Sequence, residues 1–227
     1  MVHRALFLDR DGTLVEPRHY PSRPEDLVLY PGVAAELRIL QAAGFRPVVI
    51  TNQSGLAHGY FQREQLDCLH EHLRGQLRQG GANIDAIYFC PHHPEGKVAE
   101  LAIACDCRKP RPGMLVGAAA DLDLDLARSW FVGDILDDVE AGNRAGCRTV
   151  LVDLDTERLP ESPVRCPTYV GRNTVHALRI IQTVEGFRPR ADLRYQPPRW
   201  DRAPRADVEL TAAATRIQRE PPWRRLH

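Results

Sequence analysis

The amino-acid sequence predicts an α/β fold, in which a parallel sheet carries helices on both faces. Short apolar runs, such as residues 5–9 and 46–51, indicate buried strands. Segments with leucines at helical spacing, such as residues 62–79, alternate with these runs. The length of 227 residues fits one domain of this class with a full core.

Each element is predicted in order from its apolar pattern and its bounding residues. The first helix, 33–43, ends at Gly44, and the helix at 62–79 ends at Gly80 and Gly81. The other predicted strands are 84–89, 129–132, 148–152 and 168–170. The other predicted helices are 113–120, 136–145 and 174–184. Because helices separate consecutive strands, the strands are predicted to run parallel.

The composition changes near residue 187. We expect residues 1–186 to form one domain, with a cysteine-rich loop inserted at 90–107. Residues 187–227 contain ten arginines and six prolines but little apolar periodicity. This segment is predicted to be a Pro/Arg-rich tail that is partly disordered.

The overall charge and the apolar patterning exclude several functions. Thirty basic and thirty acidic residues give a formal net charge of zero, so no general field attracts nucleic acid. No apolar run is long enough to span a bilayer, and the N-terminus has no signal peptide. We therefore expect a cytoplasmic monomer with a small-molecule partner and no membrane or nucleic-acid partner.

Two carboxylates, Asp9 and Asp11, follow the first predicted strand, and Gly12 lets the chain turn there. Ligands of open α/β sheets bind at this end of the strands. Two carboxylates at this spacing suit Mg²⁺ together with a phosphate group. An aspartate can also attack phosphorus and form an aspartyl-phosphate. Taken alone, the pair also fits an ordinary strand-to-turn junction.

Three further polar features lie at or after the ends of strands. The Thr51 hydroxyl and neighbouring amides can bind phosphate oxygens, and Lys109 supplies positive charge. Asp134 adds a hard oxygen ligand for Mg²⁺. Individually these residues also fit a turn, a surface charge and a helix N-cap. Together, and in this order, they indicate one phosphoryl-transfer site that uses Mg²⁺.

The cysteine-rich loop predicts a second metal site. Three thiols and one imidazole fall within eighteen residues, which is a closed tetrahedral set typical of structural Zn²⁺. The spacing leaves two histidines open as the nitrogen ligand. The candidate ligands are Cys90, His92 or His93, Cys105 and Cys107. Because the loop ends two residues before Lys109, zinc would fix where that lysine points.

Two other histidines and three other cysteines are expected to have no chemical role. His70 and His72 lie two residues apart on a predicted helix, so they do not face each other and are expected to be solvated. Cys68, Cys147 and Cys166 are scattered and are expected to be packing residues.

Over about residues 5–152, the motifs resemble those of the haloacid dehalogenase (HAD) superfamily of phosphohydrolases. Four stretches resemble more closely its D-glycero-D-manno-heptose 1,7-bisphosphate 7-phosphatase branch: 7–13 (FLDRDGT), 51–56 (TNQSGL), 90–94 (CPHHP) and 105–114 (CDCRKPRPGM). The related histidinol-phosphate phosphatases share the zinc loop and are the alternative. A zinc-stabilised binding module without activity is an alternative from another class. The short connection from Asp11 to Thr51 predicts no large cap domain.

The resemblance implies a role for each matching residue. Asp9 would be the nucleophile, Asp11 the general acid and base, and Thr51 and Lys109 would bind phosphate. Mg²⁺ would be held by Asp9, the main-chain carbonyl of Asp11, and Asp134. Zn²⁺ would be held by Cys90, His92, Cys105 and Cys107. A sugar-phosphate substrate would contact Arg18, His19, Tyr20, Thr51, Asn52, Gln53, Ser54, Arg108 and Lys109.

Overall fold

The structure is a computed structural model that describes residues 2–158 and 160–188. The strands of this part are β1 (Arg4–Leu8), β2 (Phe45–Asn52), β3 (Ala86–Cys90), β4 (Trp130–Gly133), β5 (Arg148–Val152) and β6 (Tyr169–Gly171). Its α-helices are α1 (Val33–Ala42), α2 (Gly55–His58), α3 (Arg63–Gln79), α4 (Gly113–Leu122), α5 (Leu136–Ala145) and α6 (Thr174–Val184). Every predicted element is present with bounds shifted by no more than two residues. Among the α-helices of the described residues, only α2, which is too short to have an apolar period, was not predicted.

The strands form one parallel sheet in the order β3-β2-β1-β4-β5-β6, which confirms the predicted fold class. Strand β1 is central, and its Leu8 pairs with Val49 of β2 and Val132 of β4. The chain runs from β1 outward to β3 and then returns to β4 on the other side of β1. The carboxyl end of β1 is therefore the topological switch point, where α/β sheets bind their ligands.

Helices cover both faces of the sheet. Side chains alternate along β1, so Leu6 and Leu8 pack with α1, α3 and α6, while Phe7 packs with α4. Helix α3 turns one stripe inward, and all four of its leucines have no exposed surface: Leu66, Leu69, Leu73 and Leu77. Burial of one such side chain stabilises a fold by about 1.5–3 kcal/mol. Packing thus holds α3 against the sheet.

Two minor predictions about α3 are wrong. His70, expected to be solvated, is only 7% exposed, and its ring lies 5.7 Å from that of Phe89. It is buried because it lies four residues after Leu66, on the inward stripe. Cys68, expected to pack, is exposed because it lies outside that stripe.

The connection between β1 and β2 contains α1 and a short 3-10 helix at Pro24–Asp26, and the structure describes all of it. As predicted, it leaves no space for a large cap domain. The tail predicted at 187–227 lies outside the described residues from position 189 onward. Within the described ranges, no helix combines the length and the apolar character needed to cross a membrane.

Candidate active site

The predicted catalytic residues meet at the carboxyl edge of the sheet. Asp9 directly follows β1, Thr51 lies near the end of β2, and Asp134 directly follows β4. The Asp9 amide donates to the Val132 carbonyl at 2.9 Å, which extends the pairing of β1 with β4. All three side chains are nearly buried, with exposed fractions of 8% or less.

Lys109 lies at the centre of this group. Its Nζ is 2.5 Å from Asp9 Oδ1 and 2.6 Å from Asp138 Oδ1. The same ammonium donates to the Ile50 carbonyl at 3.0 Å. Burial by itself would lower the pKa of Lys109, but the carboxylates of Asp138 and Asp9 outweigh burial and raise it. The lysine therefore stays charged inside the protein.

Asn52 fixes the backbone on which Lys109 sits. Its Oδ1 accepts from the Lys109 amide at 3.1 Å, and its Nδ2 donates to the Lys109 carbonyl at 3.2 Å. This two-point bridge ties the loop before α4 to the end of β2. The Asn52 side chain, predicted to contact substrate, here contacts the lysine that is predicted to bind phosphate.

Three carboxylates form a compact cluster with the composition of a metal site. Asp9, Asp134 and Asp138 each offer an oxygen, and these atoms lie within 4.8 Å of one another. Burial, followed by repulsion from neighbouring carboxylates, raises the pKa of Asp134. Burial likewise raises the pKa of Asp9, although Lys109 opposes it. A divalent cation bound among these oxygens would stabilise their charged forms, so the residues present fit Mg²⁺.

Gly12 makes room for the cluster. A Cβ at this position would lie 2.1 Å from Asp134 Oδ2, and the backbone has a φ of +83° that favours glycine. The Thr13 hydroxyl donates to the other oxygen of Asp134 at 3.0 Å. The segment at residues 11–13 thus supplies Asp11 and also orients Asp134.

Asp11 is placed differently from Asp9. Its carboxylate is not part of the three-carboxylate cluster. Instead, Arg10 donates to Asp11 Oδ2 from Nε at 3.0 Å and from Nη2 at 2.8 Å. Gln53 donates to the same oxygen at 3.1 Å and to the Thr51 hydroxyl at 2.8 Å. The resemblance assigns only the main-chain carbonyl of Asp11 to the metal.

A cleft of about 230 Å³ opens beside Asp11. It brings together most of the predicted substrate contacts: Arg18, His19, Tyr20, Asn52, Gln53 and Ser54. Tyr20 has a φ of +51°, and its ring lies 4.7 Å from that of Tyr60. Arg108 is not among the residues that line this cleft, and it donates to the His92 carbonyl at 3.4 Å.

The predicted zinc ligands also come together. The Cys107 Sγ lies 3.2 Å from Cys90 Sγ, 3.3 Å from Cys105 Sγ and 3.3 Å from His92 Nδ1. Four ligand atoms at these separations fit one tetrahedral ion, with no open position for water. The structure favours His92 over His93 as the nitrogen ligand. His93 Nδ1 instead accepts from the Glu95 amide at 3.2 Å.

Sequence reasoning missed two residues of the site, Asp138 and Arg10. Asp138 occupies the third position of α5 and turns toward Lys109, whereas the adjacent Asp137 accepts from Arg165 at 2.8 Å. The available signal was the pair Asp137 and Asp138 shortly after Asp134, at the start of a predicted helix, but it did not tell the two residues apart. Arg10, between the two aspartates, carried no signal that it would turn inward.

The fold and the site together define a class of protein. A switch-point aspartate, a buried lysine, a threonine and a carboxylate cluster on this sheet are the parts of a HAD-like phosphohydrolase. The family model described as HAD-hydrolase-like matches residues 106–177.

Relatives of similar sequence identify the family within this class. The D-glycero-β-D-manno-heptose-1,7-bisphosphate 7-phosphatase of Escherichia coli K12 is 43% identical over 159 residues, which cover 70% of this chain and 83% of the relative. The enzyme of the same name from Yersinia pestis is 44% identical over 145 residues, which cover 64% and 77%. The chain belongs to this family of HAD phosphatases.

Solved structures agree with this assignment. The D,D-heptose 1,7-bisphosphate phosphatase of B. bronchiseptica, complexed with magnesium and phosphate, superposes with a TM-score of 0.67 at 34% identity. The match covers 79% of this chain and 99% of that one. The corresponding enzyme of Burkholderia thailandensis gives a TM-score of 0.54 at 28% identity, covering 78% and 98%.

Proposed function

We propose that the chain is a Mg²⁺-dependent phosphatase that removes the 7-phosphate of D-glycero-D-manno-heptose 1,7-bisphosphate through an aspartyl-phosphate. The observation that carries the proposal is the placement of Asp9, Lys109 and the carboxylate cluster at the switch point. The names of the relatives at 43–44% identity supply the substrate. They favour the heptose over histidinol phosphate, which was the alternative from the sequence.

Asp9 is the proposed nucleophile. One of its oxygens forms a bond to phosphorus while the bond from phosphorus to the sugar oxygen breaks. Asp11 gives a proton to the departing oxygen and later takes one from the water that hydrolyses the aspartyl-phosphate. Lys109 and the Thr51 hydroxyl bind the phosphate oxygens, on which negative charge develops.

Mg²⁺ is the proposed cofactor at the carboxylate cluster. Asp9, the main-chain carbonyl of Asp11, and Asp134 would hold it, with Asp138 beside them. When bound, it would supply positive charge that offsets repulsion between these carboxylates and the substrate phosphate. Raised pKa values at Asp9 and Asp134 support a site built for a cation.

Zn²⁺ is proposed as a structural ion held by Cys90, His92, Cys105 and Cys107. A closed donor set leaves no position for a reacting water, so the ion would not take part in the chemistry. Its role would be to fix the chain just before Arg108 and Lys109. The predicted contact of Arg108 with substrate remains part of the proposal, since that residue follows the last zinc ligand.

We also propose the domain boundary, the oligomeric state and the location of the enzyme. We place the catalytic domain at residues 1–186, with residues 187–227 as a separate tail, and we expect a monomer in the cytoplasm. A thiolate metal site suits a reducing compartment, where cysteines stay unpaired. The small sugar phosphate would be the main partner.

The substrate assignment is tested by comparing kcat/KM for the α and β anomers of heptose 1,7-bisphosphate and for histidinol phosphate. We expect one heptose anomer to exceed histidinol phosphate by about 10²-fold or more, since a site built for hydroxyl groups discriminates strongly. The product should be the heptose 1-phosphate. Equal values, or a preference for histidinol phosphate, would overturn the assignment while leaving the phosphatase chemistry in place.

A further inference from the structure

The two oxygens of the Asp11 carboxylate have very different surroundings. Oδ2 accepts three hydrogen bonds, two from Arg10 and one from Gln53. Oδ1 is buried and has no hydrogen-bond partner among the described residues. One oxygen is therefore saturated by fixed donors, and the other is left for a further interaction.

The donors are themselves held rigidly. Arg10 has no exposed surface, and its Nη2 also donates to Gln53 Oε1 at 3.0 Å. Gln53 is 4% exposed and is anchored to the Thr51 hydroxyl. The two side chains thus form a connected unit behind Asp11, which we call the Asp11 clamp.

Stability is a poor explanation for the clamp. Of the carboxylates in the described ranges, Asp11 is the one that pairs with Arg10. Burying an arginine carries a large desolvation cost, and apolar residues of similar volume often stabilise a fold as well or better. A buried arginine that holds a partly exposed carboxylate is better explained by a need for geometry.

We propose that Arg10 and Gln53 are positioning residues that fix Asp11 so that Oδ1 exchanges protons with the reacting groups. This inference rests on the proposed function. In the first step, Asp9 bonds to phosphorus, the bond to the leaving oxygen breaks, and the proton passes from Asp11 Oδ1 to that oxygen. In the second step, water bonds to phosphorus, its proton returns to Oδ1, and the bond from Asp9 to phosphorus breaks.

Substrates with different leaving groups distinguish a role of the clamp in proton transfer from a purely structural role. A sugar alkoxide needs a proton as it departs, whereas p-nitrophenolate needs little help. Since kcat/KM reports the steps up to phosphorylation of Asp9, the ratio of kcat/KM for a simple alkyl phosphate to that for p-nitrophenyl phosphate measures proton delivery. An alkyl phosphate leaves as an alkoxide but has no sugar hydroxyl groups for Gln53 to contact. Displacing Asp11 should lower this ratio.

Arg10→Lys is the principal variant, because it keeps the positive charge but loses the planar fork that grips Oδ2. We expect the ratio to fall by about 10-fold to 10²-fold. Gln53→Leu removes one donor and should lower the ratio in the same direction. Arg46→Lys is the matched control. Arg46 forms an ion pair with Asp85 at 2.6 Å, and this pair does not belong to the site. The kcat/KM ratio of this variant should equal that of the wild type.

Urea unfolding of each variant shows whether it is folded. If Arg10→Lys does not fold, the ratio measured for Gln53→Leu tests the proposal. An unchanged ratio in the folded clamp variants would overturn the proposal, even if both rates fall together. If the wild-type enzyme hydrolyses heptose 1,7-bisphosphate, the alkyl phosphate and p-nitrophenyl phosphate but the ratio is unchanged in the variants, only the clamp is wrong. If it hydrolyses none of them, the proposed function fails and the clamp fails with it.

Discussion

At the scale of single residues, close packing around the carboxylates limits which substitutions each position tolerates. Gly12 and Asp134 come from distant parts of the chain, yet the Asp134 carboxylate occupies the volume that a Cβ at position 12 would need. Lys109 is equally constrained, because two carboxylates and a carbonyl surround its ammonium. Small changes here should alter metal binding and turnover more than stability.

Gly12→Ala should weaken Mg²⁺ binding and lower activity by about 10²-fold, because the new methyl group displaces Asp134. The positive φ adds a backbone cost of about 1–2 kcal/mol. Gly44→Ala is a matched control: its φ is +87°, but nothing lies within 4 Å of the added Cβ. Titration of activity with Mg²⁺ should separate the two variants. Equal loss of Mg²⁺ affinity in both would show that backbone strain, not displacement of Asp134, is responsible.

The limits of sequence reasoning are also clearest at this scale. Strand ends could be predicted because the apolar runs stop at Asp9 and Asp134. The choice between Asp137 and Asp138 could not, since it depends on how α5 is rotated against Lys109. His92 and His93 likewise differ only in the direction that the loop gives each ring. Such choices depend on packing between distant segments, which a local pattern does not contain.

At the scale of elements, the cysteine-rich loop at residues 90–107 and the end of β2 both lie next to Lys109 in the chain or in space. Cys107 is one of the four side chains that could hold a metal ion, and Lys109 follows two residues later. Asn52 holds the same lysine from the other side through two backbone hydrogen bonds. We therefore expect the loop to affect catalysis through the placement of Lys109.

Cys107→Ser should abolish zinc binding and lower kcat by about 10-fold to 10²-fold, the scale of effects from groups that orient a site. Metal analysis and phosphate release measured on the same sample provide the check. Cys68→Ser, at an exposed position on α3, is the control and should retain both zinc and activity. Full kcat in a zinc-free Cys107→Ser enzyme would show that the loop does not position Lys109.

At the scale of the whole molecule, the burial that forms the site also makes the fold sensitive to acid. Burial, together with the nearby Arg10 guanidinium, lowers the pKa of His70 to about 3. Burial likewise lowers the pKa of His176 to about 4. Both histidines stay neutral in the folded protein, whereas they become charged in the unfolded chain below the ordinary pKa of about 6.5. Unfolding therefore takes up protons below that pH, and stability falls as the pH falls toward the folded pKa values.

The His70→Leu variant should take up one proton fewer than the wild type when it unfolds at acid pH. Between pH 6.5 and 4, the free energy of unfolding should decline less steeply than in the wild type, by about 1.4 kcal/mol per pH unit. Urea unfolding at pH 7 and pH 5 measures the difference. His3→Gln, at an exposed position, should follow the wild type. Parallel pH dependence of His70→Leu and wild type would show that His70 is not kept neutral by the fold.

The central claim is that Asp9, buried at the switch point and 2.5 Å from Lys109, forms the covalent bond to phosphorus. The most direct test is the rate of inorganic phosphate release from heptose 1,7-bisphosphate by the Asp9→Asn enzyme at saturating Mg²⁺. An amide at this position cannot act as the nucleophile, so the rate should fall by at least about 10⁴-fold, the scale of loss for removal of a nucleophile. A folded Asp9→Asn enzyme that releases phosphate at the wild-type rate would contradict the account.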